Sequence, residues 1–347
     1  MDKIRMRINA GSIKLRVTTK DGSPCELWND GKKIAELQSG THQTVSIPNN
    51  AEEIIIKGYD IQELYCCGSK LTALDISGLT SLKELYCFNN QLTSLAVSGL
   101  TSLKELYCSN NQLTTLNVNG CTSLQVLYCY DNQLTTLNVN GCISLQKLDC
   151  EHNRLTTLNV NGCTSLQGLD CYYNRLTALD TRGLTSLEHL ECYNNQLTAL
   201  NASGLTSLRI LDCSENLLTS FTASGLVNLE DIDCYENDLT ELNVRNCRAL
   251  QRLNCSFNRL AALDASGCTS LQKLYCNNNK LSAEVFKKLF EDFPERKEKD
   301  GRVLLYKDGD SNYKDFTQPP ELAAAFKAAK AKGWRLYKIN NDDLMEL

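Results

Sequence analysis

Apolar residues recur through the middle of this chain with a period of 21. The stretch LKELYCSNNQLTTLNVNGCTS, Leu103 to Ser123, is written again before and after itself with almost no slippage. Aligned on one position, Cys66, Cys87, Cys108, Cys129, Cys150, Cys171, Cys192, Cys213, Cys234, Cys255 and Cys276 follow one another without an insertion. Ten full units run from Ile61 to Ser270, and a half unit ends near Leu281. A fixed period in this range signals a solenoid, in which no unit buries its own apolar face and each leans on its neighbours. Function must then be read from a surface.

Each unit carries two phrases. The first, L-x-x-L-x-C-x-x-N-x-L, appears as Leu82, Leu85, Cys87, Asn90 and Leu92. Its alternation predicts a strand over Lys83–Phe88, with Leu85 and Cys87 inward and Glu84, Tyr86 and Phe88 outward on a concave face. The Asn follows at Asn90, Asn111, Asn132, Asn153, Asn174, Asn195, Asn216, Asn237, Asn258 and Asn279, with Ser69 in the first unit. An amide can satisfy a backbone N–H and a C=O where the chain leaves a strand, so these side chains are expected to stack as a hydrogen-bonded ladder. The second phrase, L-T-x-L-x-V, ends in a corner glycine such as Gly99 or Gly120. With only about 15 residues left after the strand, little room remains for a helix, so short extended segments are expected there.

This pattern resembles the leucine-rich repeat, with Cys where the third Leu usually stands. The doubled phrasing resembles the nested 21-residue bacterial subclass sometimes called IRREKO, and the resemblance covers about 220 residues. It implies an α/β-type repeat solenoid dominated by β: a right-handed leucine-rich-repeat solenoid with a parallel concave sheet, a β N-terminal cap and a small α/β C-terminal cap.

The flanks fit that division into 1–60, 61–281 and 282–347. Strands are expected at Lys3–Asn9, Ile13–Thr19, Lys32–Leu37, Thr44–Ile47 and Glu53–Lys57, with turns at Asp21-Gly22, Asp30-Gly31 and Pro48-Asn49-Asn50. A solenoid's first rung exposes an open edge, which a cap must cover. The phrase Leu27 to Gly31 also resembles the W-G-D-G turn of small β-sandwich modules that precede such repeats in bacteria. After Leu281, Ser282–Phe293 reads as a helix with Ser282 as N-cap and Leu281 stapled against Phe286. Arg302–Tyr306 reads as a strand, Pro319–Lys332 as a helix stopped at Gly333, and Trp334–Ile339 as a last strand. This tail resembles the C-terminal cap found after such repeats, and the charged stretch Glu291–Asp310 is expected to be its most mobile part.

Composition narrows the chemistry. The 18 cysteines suggest a disulfide framework at first. Yet Cys121, Cys142, Cys163, Cys247 and Cys268 share a register with Leu79, Leu100, Leu184, Leu205 and Leu226, so that site asks for a small apolar filler. Buried, reduced thiols are therefore expected, with no metal and no cofactor, since zinc sites group their ligands at short spacings. Cys66 and Cys67 are expected on opposite strand faces. No apolar run reaches the roughly 18 residues of a membrane helix, and no secretory leader is visible, so the chain reads as cytoplasmic, or as secreted or surface-bound if a leader has been removed. The repeat tract holds 14 basic and 20 acidic residues, which disfavours nucleic acid as a partner.

The outward residues between the inward Leu and Cys are zoned: Tyr65, Tyr86, Tyr107 and Tyr128, then Asp149, Asp170, Glu191, Asp212 and Asp233, then Asn254 and Tyr275. Just after the Cys come Phe88, Tyr130, Glu151, Tyr172, Tyr193 and Tyr235. Tyrosine suits any strand and acids keep a sheet soluble. Consecutive carboxylates nonetheless repel, and tyrosine beside acid suits recognition of a protein or peptide with a basic patch. An adhesin or glycan-binding face and calcium between carboxylates are the alternatives. Catalysis has thinner support: His42 lies in the cap, His152 beside the Asn ladder and His189 near Asp170 and Glu191, and the column cysteines that could pair with His189 point inward. Asp149 and Asp170 as glycosidase acids would lack a pocket.

Overall fold

The computed structural model describes residues 1–48, 53–296 and 300–347. The expected turn at Asn49-Asn50 and the middle of the charged 291–310 stretch lie outside the described residues. The chain divides into two units, Met1–Arg175 and Leu176–Leu347.

In the first unit, alternation at the N-terminus builds strands β1 Asp2–Ile8, β2 Ser12–Thr19, β3 Cys25–Asn29, β4 Lys32–Leu37, β5 Gln43–Ser46 and β6 Ile54–Gly58. Ile13, Leu15 and Val17 of β2 point into the core, as a period of two requires. Strand β3 lies between the expected turns at Asp21-Gly22 and Asp30-Gly31 and escaped the sequence reading. That turn is a two-residue hairpin connection with positive φ at both Asp30 (45°) and Gly31 (75°). The first rung then enters both cap sheets. Strand β7, Ile61–Tyr65, pairs antiparallel with β2, while β8, Leu71–Asp75, pairs antiparallel with β1. From β7 onward the pairing turns parallel, through Glu84–Tyr86, Glu105–Tyr107, Val126–Tyr128, Lys147–Asp149 and Gly168–Asp170. The cap thus hydrogen-bonds the edge that the first rung would otherwise leave open.

The second unit repeats the plan with His189–Glu191, Ile210–Asp212, Asp231–Asp233, Arg252–Asn254 and Lys273–Tyr275 in parallel register. Gly301–Lys307 and Trp334–Asn340 extend that sheet in parallel, and Asp343–Glu346 closes it antiparallel. Trp334–Asn340 is therefore not the last strand, as the sequence reading had it. Helix α1, Ala283–Asp292, is capped by Ser282 Oγ, which accepts from Val285 N at 3.4 Å. Helix α2, Pro320–Ala331, stops at Gly333, whose φ of +95° and 2.2 Å clearance between a built Cβ and Arg296 O admit no side chain. Between Ile61 and Leu281 there is no helix, and the second phrases form short extended pairs such as Thr136–Asn138 with Thr157–Asn159 and Glu241–Asn243 with Ala262–Asp264.

The asparagines form the expected ladder, and each one reaches back a rung. Asn132 Oδ1 accepts from Leu113 N at 3.0 Å, while its Nδ2 donates to Cys108 O and to Cys129 O, both at 3.1 Å. Asn174 does the same with Leu155 N, Cys150 O and Cys171 O. One side chain thereby joins the backbone of its own rung to that of the rung before. The residue ahead of each ladder Asn turns the corner in the left-handed region, from Asn89 (56°) through His152 (47°) to Phe257 (55°). The ladder ends outside the 21-residue period. Asn312, in the C-terminal cap, accepts from Leu281 N at 2.8 Å and donates to Cys276 O at 2.9 Å.

All 18 cysteines are buried and reduced. Burial pushes the Cys108 and Cys142 thiols up to about 12. In the second register the thiol faces a carbonyl of the preceding rung, as in Cys121 Sγ to Val97 O at 3.2 Å and Cys268 Sγ to Val244 O at 3.1 Å. A site shared with leucine is thus apolar with one acceptor in reach. Cys66 and Cys67 are both buried, against the expectation of opposite faces, because β7 ends at Tyr65 and alternation ends with it.

Two predictions follow the core. Native protein should react with thiol reagents slowly at all positions, and Cys129→Ala should cost on the order of 1 kcal/mol in denaturant melts; rapid labelling of many thiols without unfolding would contradict this. Asn132→Ala leaves Leu113 N unpaired and takes one of two amide donors from each of Cys108 O and Cys129 O, which keep Asn111 and Asn153, and should cost about 1 to 3 kcal/mol. The exposed Asn138 side chain accepts a local turn bond from Asn140 N, so Asn138→Ala should cost roughly 0.5 kcal/mol or less.

Candidate recognition surface on the parallel sheet

In-register parallel pairing places equivalent outward side chains on adjacent rungs side by side. In the first unit Tyr65, Tyr86, Tyr107 and Tyr128 are direct partners across consecutive strands. Their rings meet in sequence: Tyr65 and Tyr86 tilted at 6.1 Å, Tyr86 and Tyr107 stacked at 4.8 Å, Tyr107 and Tyr128 edge-on at 5.0 Å. His42 adds an edge contact to Tyr65 at 4.8 Å, bringing the cap into the same plate. Asp149 and Asp170 continue the column in register. Phe88, Tyr130, Glu151 and Tyr172 flank it, all half-buried because neighbouring rungs cover one another.

Burial, with help from the Glu105 carboxylate, pushes the Tyr107 hydroxyl up to about 12. Burial and then the carboxylates of Glu105 and Glu84 push Tyr86 further in the same direction. The tyrosines therefore stay neutral donors across the physiological range. Their donors meet acids that the sequence reading left out of the candidate set. Tyr86 Oη lies 3.1 Å from Glu84 Oε2 and 3.0 Å from Glu105 Oε2. The signal was present in the twice-written phrase L-K-E-L-Y, where a glutamate two residues ahead of each tyrosine falls in the adjoining outward column.

In the second unit Glu191, Asp212, Asp233, Asn254 and Tyr275 are in register. Tyr193 and Tyr235 stand half-buried beside them. The acids are less bare than their sequence suggests. Arg252 donates to Asp231 Oδ1 at 2.8 Å and Asp233 Oδ2 at 2.6 Å, and Asn254 Nδ2 adds a contact to Asp233 at 3.1 Å. Burial, followed by the neighbouring Asp233 and Glu191 charges, raises Asp212 above the ordinary carboxylate range, although Ser214 N and Oγ both donate to its Oδ1.

His189 is exposed on its strand. A thiolate to pair with it is opposed by the environment, since the column cysteines are buried and burial holds thiols such as Cys213 protonated. Among the described residues, no group of three His, Cys, Asp or Glu side chains is placed to hold a metal ion. Among the described residues, no helix is long and apolar enough to cross a membrane.

Stacked 21-residue rungs with a parallel sheet on one side, short extended segments on the other and an Asn ladder between them define a β-dominated leucine-rich-repeat solenoid. A family model described as Leucine Rich repeats (2 copies) matches residues 80–121, 101–141, 164–206 and 248–288, so these units are leucine-rich repeats. YopM from Yersinia enterocolitica is 28% identical, with a TM-score of 0.53 over 63% of this chain and 52% of that one. An internalin, InlF, from Listeria monocytogenes is 21% identical, with a TM-score of 0.52 over 77% and 85%. The functional domain of InlJ from the same organism, described as including a cysteine ladder, is 24% identical with a TM-score of 0.43 over 78% and 76%. The chain thus spans about half the length of the YopM chain. No curated protein sequence matches it significantly.

A carboxyl raised by the fold favours the folded state while protonated, and that contribution is lost as pH rises through the folded value. Ionised Asp212 should therefore weaken the fold near neutrality. Asp212→Asn keeps the Oδ1 acceptor for Ser214 and should raise Tm at pH 7, with the gain shrinking toward pH 4. Thermal melts of both proteins at the two pH values check this, and an equal difference at both would contradict it.

Proposed function

We propose that this chain is a non-catalytic scaffold that binds a protein or peptide through its parallel sheet. The contact residues are Tyr86, Tyr107, Tyr128, Tyr130, Asp149, Asp170 and Tyr172 in the first unit, and Glu191, Tyr193, Asp212, Asp233 and Tyr235 in the second. The observation that carries this reading is the run of four tyrosines in direct register, ring on ring, with protonated hydroxyls. Rings held by their neighbours lose little further freedom on binding, and each offers apolar area with a polar tip. The carboxylates of both units suit a partner with a basic patch, whose approach they would steer.

The test is a pull-down and binding-kinetics comparison. The wild-type chain is set against a variant with Asp149→Asn, Asp170→Asn, Glu191→Gln, Asp212→Asn and Asp233→Asn. A partner held by the wild type should bind the variant with a slower association rate and weaker salt dependence, while Tyr172→Ala or Tyr193→Ala should speed dissociation. Unaltered binding of every partner by the five-site variant would leave these acids with solubility alone and overturn the reading.

A further inference from the structure

Two of the chain's own arginines show what this sheet face accepts. Arg16, on β2, sets a guanidinium nitrogen on Glu63 Oε1 and its Cζ 5.8 Å from the centre of the Tyr65 ring. Arg252 sets its two terminal nitrogens on Asp231 and Asp233, with its Cζ 5.8 Å from the centre of the Tyr275 ring. In each case one planar cation meets carboxylate and phenol drawn from adjoining outward columns. A guanidinium suits such a place because its fork matches a carboxylate and its flat face rests on an aromatic ring. An ammonium has neither the fork nor the face.

The rungs after Glu63 and Tyr65 present the same residue types in the same columns. Glu84 pairs in register with Glu105, and Tyr86 with Tyr107. Among the described residues, no Lys or Arg forms an ion pair with either glutamate. Both carboxylates instead converge on the one hydroxyl of Tyr86. A hydroxyl has a single proton to donate, so it serves one carboxylate at a time and leaves two adjacent like charges only partly compensated.

We infer that Glu84 and Glu105, with the stacked rings of Tyr86 and Tyr107, form a site for an arginine side chain of an extended peptide. The assignment rests on the peptide-binding reading above and names the residue type that this part of the face selects. The guanidinium donates to the carboxylate that Tyr86 does not serve and lies against a phenol ring, as Arg16 does one rung away. Selection of arginine over lysine follows from the fork and the stack, since charge alone treats the two alike.

The test measures fluorescence anisotropy of labelled octa-arginine and octa-lysine with the intact chain at physiological salt. Octa-arginine should bind at least about tenfold more tightly than octa-lysine. The size-conserving pair Glu84→Gln with Glu105→Gln should weaken octa-arginine by about tenfold or more, whereas Glu241→Gln, on the opposite side of the repeats, should change it by less than about twofold. Equal affinity for the two peptides overturns the inference on the unaltered protein, even if the Gln pair fails to fold. Octa-arginine binding that is unmoved by a folded Gln pair also overturns it. A pull-down partner that is sensitive to Tyr172→Ala and indifferent to the Gln pair would remove the arginine assignment while leaving the peptide-binding reading intact.

Discussion

Everything on the sheet face depends on one buried amide repeated at every rung after the first, where Ser69 stands instead. A strand of three residues makes too few hydrogen bonds to hold a register by itself, and the chain must leave it through a left-handed corner with backbone groups facing the core. A ladder Asn such as Asn132 meets that demand on two rungs at once, accepting from the previous rung's Leu113 N–H and donating to the Cys carbonyls of both. Removing one such amide leaves a buried Leu N–H unpaired, at about 1 to 3 kcal/mol. The pairing therefore locks the stacking step, and the stacking step sets which outward side chains touch.

Recognition chemistry inherits that order. Because Tyr86 and Tyr107 sit on hydrogen-bonded neighbours, their rings stack at 4.8 Å without any contact of their own choosing. Because Arg252 stands between Asp231 and Asp233 in adjoining columns, part of the acidic run in the second unit is already neutralised from within. Repulsion along Glu191, Asp212 and Asp233 is consequently weaker than three bare acids imply. Asp212 is raised by burial first and by its two neighbouring charges after that.

What the period repeats was legible in the sequence. Strand, inward Leu and Cys, ladder Asn and corner glycine recur together, so one unit explains all, and even the substitute at Asn246 (φ 59°) obeys the conformational reason for glycine. Outside the period legibility was partial: capping and stop residues announced the helices Ala283–Asp292 and Pro320–Ala331, but other features had no such signal. Asn312 closes the ladder from a loop 33 residues beyond Asn279, and Asp343–Glu346 adds an edge strand that no repeat announces. Partner choice among equivalent neighbours was also hidden. The columns could be listed from spacing, but only side-chain geometry shows Tyr86 drawing on Glu84 and Glu105 while Arg252 turns to Asp231 and Asp233.

The direction of the ladder bonds is the feature that native-state hydrogen exchange can read most directly. In the wild type, the amides of Leu113 and Leu134 accept protection from Asn132 and Asn153 respectively. In a folded Asn132→Ala protein, Leu113 N–H should lose protection while Leu134 N–H, still bound by Asn153, keeps far more of it. Loss at Leu134 with Leu113 unaffected, or no loss at either, would contradict a ladder in which each rung is fastened by the next.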